Sequence, residues 1–308
     1  MPSLIFKVIT DPQQAKSFWE QFSPHQTIDD EWDFRNIFTQ ELELPFHFIV
    51  GFDKEKPVGL LPMQQNQVKG LDAKLLNENK PFLEFFSGID TDDNKVWLTK
   101  GYDNCLDQFL NQLTSHTVLT SLSTKYKTET SESEYYLDRY ELNLQEFPNF
   151  ETFLQKNFDG KSRQRLVNRL NKLNKSYKIE VIYGSKEDLD ILFNLSKKRF
   201  GEKSSFHLQY RQNIYHNLLK KFNVDIFKIH LDGEPKAISF AIHFKNDYIS
   251  INVGYDVEIR DVVKLLCATQ IKRAMEKKCI RYDAGQGNNG WKEHFHLTKI
   301  PQYKLTLN

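Results

Sequence analysis

Cysteine is scarce in this chain, and no two cysteines form a recognisable pair. Only Cys105, Cys267 and Cys279 occur among the 308 residues, and none of them belongs to a CxxC motif. An odd, scattered set of this kind predicts neither a disulfide framework nor a zinc knuckle. The cysteine usage fits a reducing compartment best, and Cys267, inside an apolar helical pattern, is predicted to be a core residue.

Long apolar runs and charge of one sign are lacking as well. No uninterrupted apolar stretch approaches the roughly 20 residues that span a bilayer, and no charged-then-apolar leader opens the chain. The 42 basic and 41 acidic residues leave a formal net charge of +1, which argues against a surface built as a whole to hold DNA or an anionic membrane. We therefore expect a cytoplasmic protein without integral membrane association and without a DNA partner.

The length of the chain predicts two domains, since single hydrophobic cores tend to split beyond about 250 residues. An aromatic strand pattern ends before residues 145–149, and Pro148 then precedes a new helical pattern. The sequence thus predicts one domain over residues 1–147 and a second over residues 148–308.

Hydrophobic periodicity and turn residues predict a regular succession of elements in the second half. The order is two helices, a strand, two helices, a three-stranded meander, a helix, a strand, a helical turn and a last strand. The predicted ranges are 149–157, 161–175, 179–183, 185–200, 209–220, 224–230, 237–244, 248–253, 262–277, 279–283, 291–295 and 302–307. The first half looks like a degenerate version of the same succession of elements. It has a predicted strand at 5–9, a helix from Pro12 and a hairpin of strands 46–52 and 58–64.

Four stretches of the second half carry a family resemblance: GKSRQRLVNRLNKL, ISFAIHF, ISINVGYD and IRYDAGQGNNGWKEHF. In this element order they resemble the GNAT acyltransferase fold, and the tandem of two halves resembles the Fem-type peptidoglycan-bridge transferases. The chain is still more similar to the GNAT-like acyltransferases associated with cellulose and capsule biosynthesis. The resemblance implies an α+β fold of two tandem GNAT-like domains, each a mixed, largely antiparallel sheet flanked by helices.

Acyl transfer requires groups that handle a proton and a developing negative charge. Asp283, predicted at the exit of a strand, could orient or deprotonate the acceptor, and Lys292 could meet the oxyanion or a substrate carboxylate. The resemblance supports Lys292, because a Lys after an aromatic residue near the end is functional in Fem-type enzymes. A structural alternative is that Asp283 accepts N–H bonds within the loop and that Lys292 is a solvated helix residue.

Tyr255 and Asn252 lie where the third strand of the meander is predicted to end. The resemblance implies a donor groove between this strand and the one that ends at Asp283, so Tyr255 is a candidate acid for a leaving thiolate and Asn252 a substrate-binding residue. Alternatively, Tyr255 only packs its ring against the sheet.

The expected donor is acyl-coenzyme A, and aminoacyl-tRNA is a further possibility. GNAT proteins usually bind the pyrophosphate on a glycine-containing loop before the third helix, whereas here DVEIRDVVK has no glycine. Arg260 is the candidate phosphate ligand in this loop, and Asp261 is a candidate N-cap. An aminoacyl-tRNA donor, as in Fem-type enzymes, would not need the glycine loop.

A basic helix over residues 161–175 supplies further candidate phosphate ligands. Arg165, Arg169 and Lys172 share one helical face and could bind phosphates of a nucleotide-linked acceptor, a lipid-linked sugar or tRNA. Arg199, in a neighbouring helix, extends this basic set. The alternative is a solvated face without a ligand.

The sequence therefore predicts an acyltransferase that moves an acyl or aminoacyl group from a thioester or aminoacyl-tRNA to an amine or hydroxyl. A small molecule or a cell-envelope or polysaccharide precursor is the expected acceptor. No metal site is predicted, because His294 and His296 have no third ligand at a suitable spacing. The alternative function is a non-catalytic GNAT-like protein that binds a ligand, RNA or a partner.

Overall fold

A computed structural model describes residues 2–113, 116–287 and 290–307. The chain divides into two compact units, Met1–Leu137 with Pro301–Asn308, and Asp138–Ile300. The domain boundary between residues 147 and 148 stays a prediction.

The strands and helices follow the order expected from the sequence. The strands are β1 (Ile5–Ile9), β2 (Phe48–Asp53), β3 (Lys56–Leu61), β4 (Met63–Asn66), β5 (Phe82–Phe85), β6 (Trp97–Leu98), β7 (Thr117–Leu122), β8 (Glu134–Asn143), β9 (Ile179–Tyr183), β10 (Val224–Leu231), β11 (Glu234–Phe244), β12 (Asp247–Tyr255), β13 (Arg281–Gln286) and β14 (Thr298–Leu307). The α-helices are α1 (Pro12–Phe22), α2 (Trp32–Leu42), α3 (Gly70–Leu76), α4 (Leu106–Leu110), α5 (Phe150–Asn157), α6 (Gly160–Ser176), α7 (Leu189–Phe200), α8 (Gln209–Lys221), α9 (Val262–Glu276) and α10 (Trp291–His294).

The first unit contains two sheets. One has the strand order β1-β2-β3-β6, and all its neighbouring strands are antiparallel. In the other, β4 pairs antiparallel with β5, β5 pairs parallel with β7, and residues 303–307 of β14 pair antiparallel with β7. Trp19, Phe48 and Phe86 are completely buried in one of the apolar clusters of this unit.

A buried arginine organises the polar loop that follows β5. Arg35 of α2 is only 2% exposed, and it donates hydrogen bonds to the carbonyls of Phe86 and Asp93 and to Asn94 Oδ1 at 2.7–2.8 Å. A guanidinium in this position satisfies backbone carbonyls that a buried loop would otherwise leave without donors.

The sheet of the second unit runs β8-β13-β12-β11-β10-β9. Strands β10 to β12 form the predicted antiparallel meander, and β9 pairs antiparallel with β10. β12 pairs parallel with β13, and β13 pairs antiparallel with β8. Helices α5 and α6 begin where side chains cap them, because Asn149 accepts from the N–H of Thr152 and Asp159 from the N–H groups of Lys161 and Ser162.

The boundaries of the strand that carries Asp283 differ from the sequence prediction. The predicted strand 279–283 is observed as Arg281–Gln286, so Asp283 lies within β13 and not at its end. The apolar run stops at Asp283, but β8 continues to pair beyond it, with Gln286 opposite Arg139 after a register shift. Gly285 adopts a φ of 67° at this shift, which a glycine does without steric cost.

Candidate functional site

The strands β12 and β13 pair over a short distance only. Among the described residues, their parallel pairing joins residues 247, 248 and 249 to residues 281, 282 and 283. Beyond Ile249, β12 continues to Tyr255 in register with β11, whereas β13 continues against β8. Two neighbouring strands that stop pairing in this way leave a crevice at their carboxyl ends, where open sheets bind ligands.

A β-bulge lies where the two strands stop pairing. On β11, Ala241 pairs with Ser250 and Phe240 with Asn252, so Ile251 is the additional residue. Bulges redirect the side chains that follow them and are frequent next to active sites. Asn252 follows the bulge, and its Nδ2 donates to the Tyr215 hydroxyl of α8 at 2.7 Å.

Tyr255, at the end of β12, is half-buried beside a cation. The Arg199 guanidinium carbon lies 4.3 Å from the centre of the Tyr255 ring, within the range of a cation–π interaction. The ring also packs against the apolar cluster that contains Val262 and Leu266 of α9. Two predicted site residues, Tyr255 and Arg199, are thus brought together.

Asp283 is 1% exposed and is paired with Arg139 of β8. Arg139 donates to Asp283 Oδ2 through both Nε, at 3.1 Å, and Nη2, and the N–H of Gly285 donates to Oδ1 at 2.9 Å. Burial raises the pKa of this carboxyl, but the charge and hydrogen bonds of Arg139 outweigh it, so the pKa is lowered. A carboxylate held this way is well oriented but is a weak base.

Lys292 is 2% exposed and donates to two carbonyls of the β13 segment. Its Nζ lies 2.8 Å from the Gly285 oxygen and 2.6 Å from the Gln286 oxygen, and 5.2 Å from the centre of the Tyr140 ring. Asp283 therefore binds the backbone N–H of Gly285, and Lys292 binds the carbonyls of Gly285 and Gln286. Their catalytic roles stay predictions.

Sequence reasoning missed a buried glutamine that links three strands to α9. Gln270 Nε2 donates to Ser239 of β11 and Ser250 of β12 at 2.9 and 2.8 Å, and its Oε1 accepts from the Tyr282 hydroxyl of β13 at 2.8 Å. The sequence signal is a glutamine on the apolar face of a helix, which indicates a buried hydrogen-bond network.

Acidic residues of the loop between β12 and α9 are paired with lysines. Lys198 Nζ lies 3.1 Å from Asp256 Oδ2 and 3.1 Å from Glu258 Oε2, and Lys236 Nζ lies 3.8 Å from Asp256. Burial raises the pKa of Asp256, but the hydrogen bond from Lys198 and the neighbouring charges lower it overall. These two carboxylates are therefore largely compensated and do not act as a bare negative charge on the loop.

A cavity of about 280 Å³ lies between this loop and the basic helix α6. The lining residues are Arg169, Lys172, Leu173, Ser176, Tyr177, Ile259, Arg260 and Asp261. The structure thus brings together the predicted phosphate ligands Arg169 and Arg260, which are far apart in sequence. Arg165, one helical turn before Arg169, is not among the residues that line the cavity.

Asp261 occupies the N-cap position of α9, as the sequence suggested, but its side chain does not cap the helix. Its φ is 67°, and its carboxylate turns to cations instead. Arg169 Nη1 lies 3.3 Å and Arg260 Nε 3.7 Å from the carboxylate, and Lys264 Nζ also contacts it.

Within residues 2–113, 116–287 and 290–307, no group of three His, Cys, Asp or Glu side chains is placed to hold a metal ion. The helices in the same part of the chain are all too short or too polar to cross a bilayer. The absence of a metal cofactor stays a prediction.

The parted strands, the meander and the loop before α9 lie in the part of the chain that is similar to a known family. Residues 160–293 match the family model described as acetyltransferase (GNAT) domain. The match extends over less than half of the 308 residues. No curated protein matches the chain in sequence.

Solved structures match nearly the whole chain. FemX is 10% identical with a TM-score of 0.57, covering 97% of this chain and 96% of its own. The C-terminal domain of a putative lysylphosphatidylglycerol synthetase from Agrobacterium fabrum is 10% identical, with a TM-score of 0.55 and coverage of 96% and 92%. A tandem GNAT protein from the clavulanic acid pathway is 6% identical, with a TM-score of 0.54 and coverage of 98% and 97%. The predicted α+β fold class, with mixed, largely antiparallel sheets flanked by helices, is confirmed, and the fold is similar to that of FemX.

Proposed function

We propose that this acyltransferase moves an acyl or aminoacyl group from a phosphate-bearing donor to an amine or hydroxyl acceptor. The observation that carries the proposal is the basic cavity of Arg169, Lys172 and Arg260, which lies beside the loop that follows β12. The same strand, β12, parts from β13 after Ile249. A cavity that binds phosphate and a crevice that receives the acyl group are the two features that such a donor requires.

A coenzyme A thioester is the donor that we favour. Ligand pockets typically enclose about 300–1,000 Å³, so a cavity of about 280 Å³ fits the charged part of a donor better than a whole molecule. Arg169 and Arg260 would bind the phosphates, with Lys172 as an additional cation. The loop has no glycine, so the phosphates would be bound by these side chains and not by a glycine-containing loop. Lys198 compensates the charges of Asp256 and Glu258, so these two carboxylates do not strongly oppose a phosphate.

The remaining predicted residues take different roles. As the acceptor nitrogen or oxygen bonds to the acyl carbon, the carbon–sulfur bond of the thioester breaks and Tyr255 donates its proton to the leaving sulfur. The proton that the acceptor loses passes through solvent and restores the Tyr255 hydroxyl. Arg199 and Asn252 position Tyr255 and the substrate. Asp283 and Lys292 hold the backbone of residues 285 and 286 in shape for the acceptor. The acceptor as a cell-envelope or polysaccharide precursor and the cytoplasmic location stay predictions.

Calorimetric titration of acetyl-coenzyme A tests the cavity. Arg169→Gln and Arg260→Gln should each weaken binding by about tenfold, because each removes a charge-assisted hydrogen bond to phosphate. Lys175→Gln is the matched control, since Lys175 is an exposed base on the same helix outside the cavity. Equal affinity in all variants would rule out the cavity, and binding of aminoacyl-tRNA instead of the thioester would identify the alternative donor.

Steady-state kinetics with Tyr255→Phe test the acid. The loss of a general acid should lower kcat by about 10²-fold or more and leave the KM for the donor nearly unchanged. Tyr183→Phe is the control, because Tyr183 also lies under an arginine, Arg273, at 4.1 Å but on the outer strand β9. If Tyr255→Phe and Tyr183→Phe behave alike, Tyr255 only packs against the sheet.

A further inference from the structure

The carboxylate of Asp261 lies among the cations of the basic cavity. Arg169 and Arg260, which line the cavity, both contact it, and so does Lys264, which is not among the lining residues. The Asp261 side chain is 11% exposed, whereas that of Arg260 is 82% exposed. One fixed anion thus engages the same two arginines that would bind a phosphate.

We propose that Asp261 competes with the anionic ligand for Arg169 and Arg260, and that the cavity therefore selects ligands with two phosphate groups over ligands with one. This inference rests on the proposed function, since it concerns the same cavity. Asp261 thereby gains a role in ligand specificity, which a residue that only capped the helix would not have.

The competition follows from tethering. A group attached to the chain next to its partners has an effective concentration in the millimolar range or above. A single phosphate group has to displace this carboxylate from the arginines, and it is too small to engage all the cations of the cavity at once. A diphosphate can engage Arg169, Arg260 and Lys172 together, so it gains more than the displaced carboxylate loses.

Lys264 gives the Asp261 carboxylate a cation that stays with it when a ligand takes the two arginines. It lies three residues after Asp261 on the first turn of α9, and its side chain is 12% exposed. When Arg169 and Arg260 turn to a ligand, the carboxylate can keep Lys264 as its partner. A buried carboxylate with no other cation would resist displacement far more strongly.

The decisive variant keeps the backbone and removes only the charge. Asparagine adopts positive φ readily and is as good an N-cap residue as aspartate, so Asp261→Asn should fold normally. Asp261→Gly, which also tolerates a φ of 67°, is a second variant with the same expected readout. Glu258→Gln is the matched control, because Glu258 is an exposed acid of the same loop outside the cavity.

The experiment is a calorimetric titration of inorganic phosphate and inorganic pyrophosphate into the full-length protein and its variants. The wild-type protein should prefer pyrophosphate. Asp261→Asn should tighten phosphate binding by about fivefold. The reason is that phosphate no longer has to break the one or two partly exposed ion pairs that Asp261 makes with the arginines. Asp261→Asn should tighten pyrophosphate binding less, so the preference for pyrophosphate over phosphate should fall. Glu258→Gln should change neither affinity by more than about twofold.

Three results would overturn the inference in distinguishable ways. If Asp261→Asn behaves like Glu258→Gln while Arg169→Gln weakens pyrophosphate binding by about tenfold, the competition is wrong and the phosphate cavity stands. If the two affinities rise equally in Asp261→Asn, selectivity for two phosphate groups is wrong. If pyrophosphate binding is insensitive to Arg169→Gln, the cavity of the proposed function fails together with the role of Asp261.

Discussion

Asp283 shows at the residue scale how a buried charge is accommodated in this protein. Asp283 lies within β13 and its carboxylate is buried. Arg139, 144 residues away in the sequence, is the cation that pairs with it. Removal of one partner from a buried pair leaves an uncompensated charge in a medium of low dielectric constant, which costs far more than the pair itself contributes.

Arg139→Met should therefore destabilise the protein strongly. We expect the free energy of unfolding to fall by about 3–5 kcal/mol in urea denaturation. The double variant Arg139→Met/Asp283→Leu should recover most of this loss, since it removes both charges and keeps apolar volume. A single variant as stable as the wild type would mean that Asp283 is solvated or has another cation.

The hairpin of β2 and β3 shows at the element scale why particular glycines are needed. Gly51 and Gly59 pair directly across the two strands, and Phe109 of α4 packs over both. A Cβ atom added at either glycine would lie 2.5 Å from Cζ of the buried Phe109 ring. The strands approach α4 this closely only because neither position carries a side chain.

Gly59→Ala should destabilise the protein by about 1–3 kcal/mol, the usual range for overpacking a core. Adding Phe109→Leu should offset part of the loss, because the smaller side chain makes room for the new methyl group. Gly160→Ala, at the start of α6 with no atom within 4 Å of the new Cβ, should be neutral or slightly stabilising. Chemical denaturation of the three variants measures this, and equal stabilities for Gly59→Ala and Gly160→Ala would contradict the packing argument.

Stability as a function of pH is a property of the whole molecule. Burial raises the pKa of Asp188, Asp256, Asp261 and Asp283, but hydrogen bonds and cations lower all four overall. A folded-state pKa below the unfolded value stabilises the fold at any pH above the unfolded value, near 3.9, and the contribution is lost as pH falls through the folded pKa.

The melting temperature should thus change little between pH 8 and about pH 5 on account of these four groups and fall steadily below that. Calorimetric melts from pH 8 to pH 3 provide the measurement. Asp188→Asn should flatten the acid limb, because it removes the carboxylate that Lys228 binds at 2.7 Å. A melting temperature that rises on acidification would show that these carboxylates are not stabilised in the fold.

The sequence by itself determined the order and type of most elements. The signals are local, namely apolar periodicity and helix caps. One such cap is Asp11, which precedes Pro12 and whose carboxylate accepts from the N–H of Gln14. The short elements α3 and β6 and the extension of β13 past Asp283 were missed, because they depend on neighbouring strands and not on local pattern.

Only the tertiary structure decided what the charged side chains of the site do. From sequence, Asp283 and Lys292 were candidate catalysts, yet their partners are Arg139 and the carbonyls of residues 285 and 286. Arg169 and Asp261, 92 residues apart, meet because α6 lies against the loop before α9. Such partners are set by strand register and helix packing over long sequence separations, which no local pattern records.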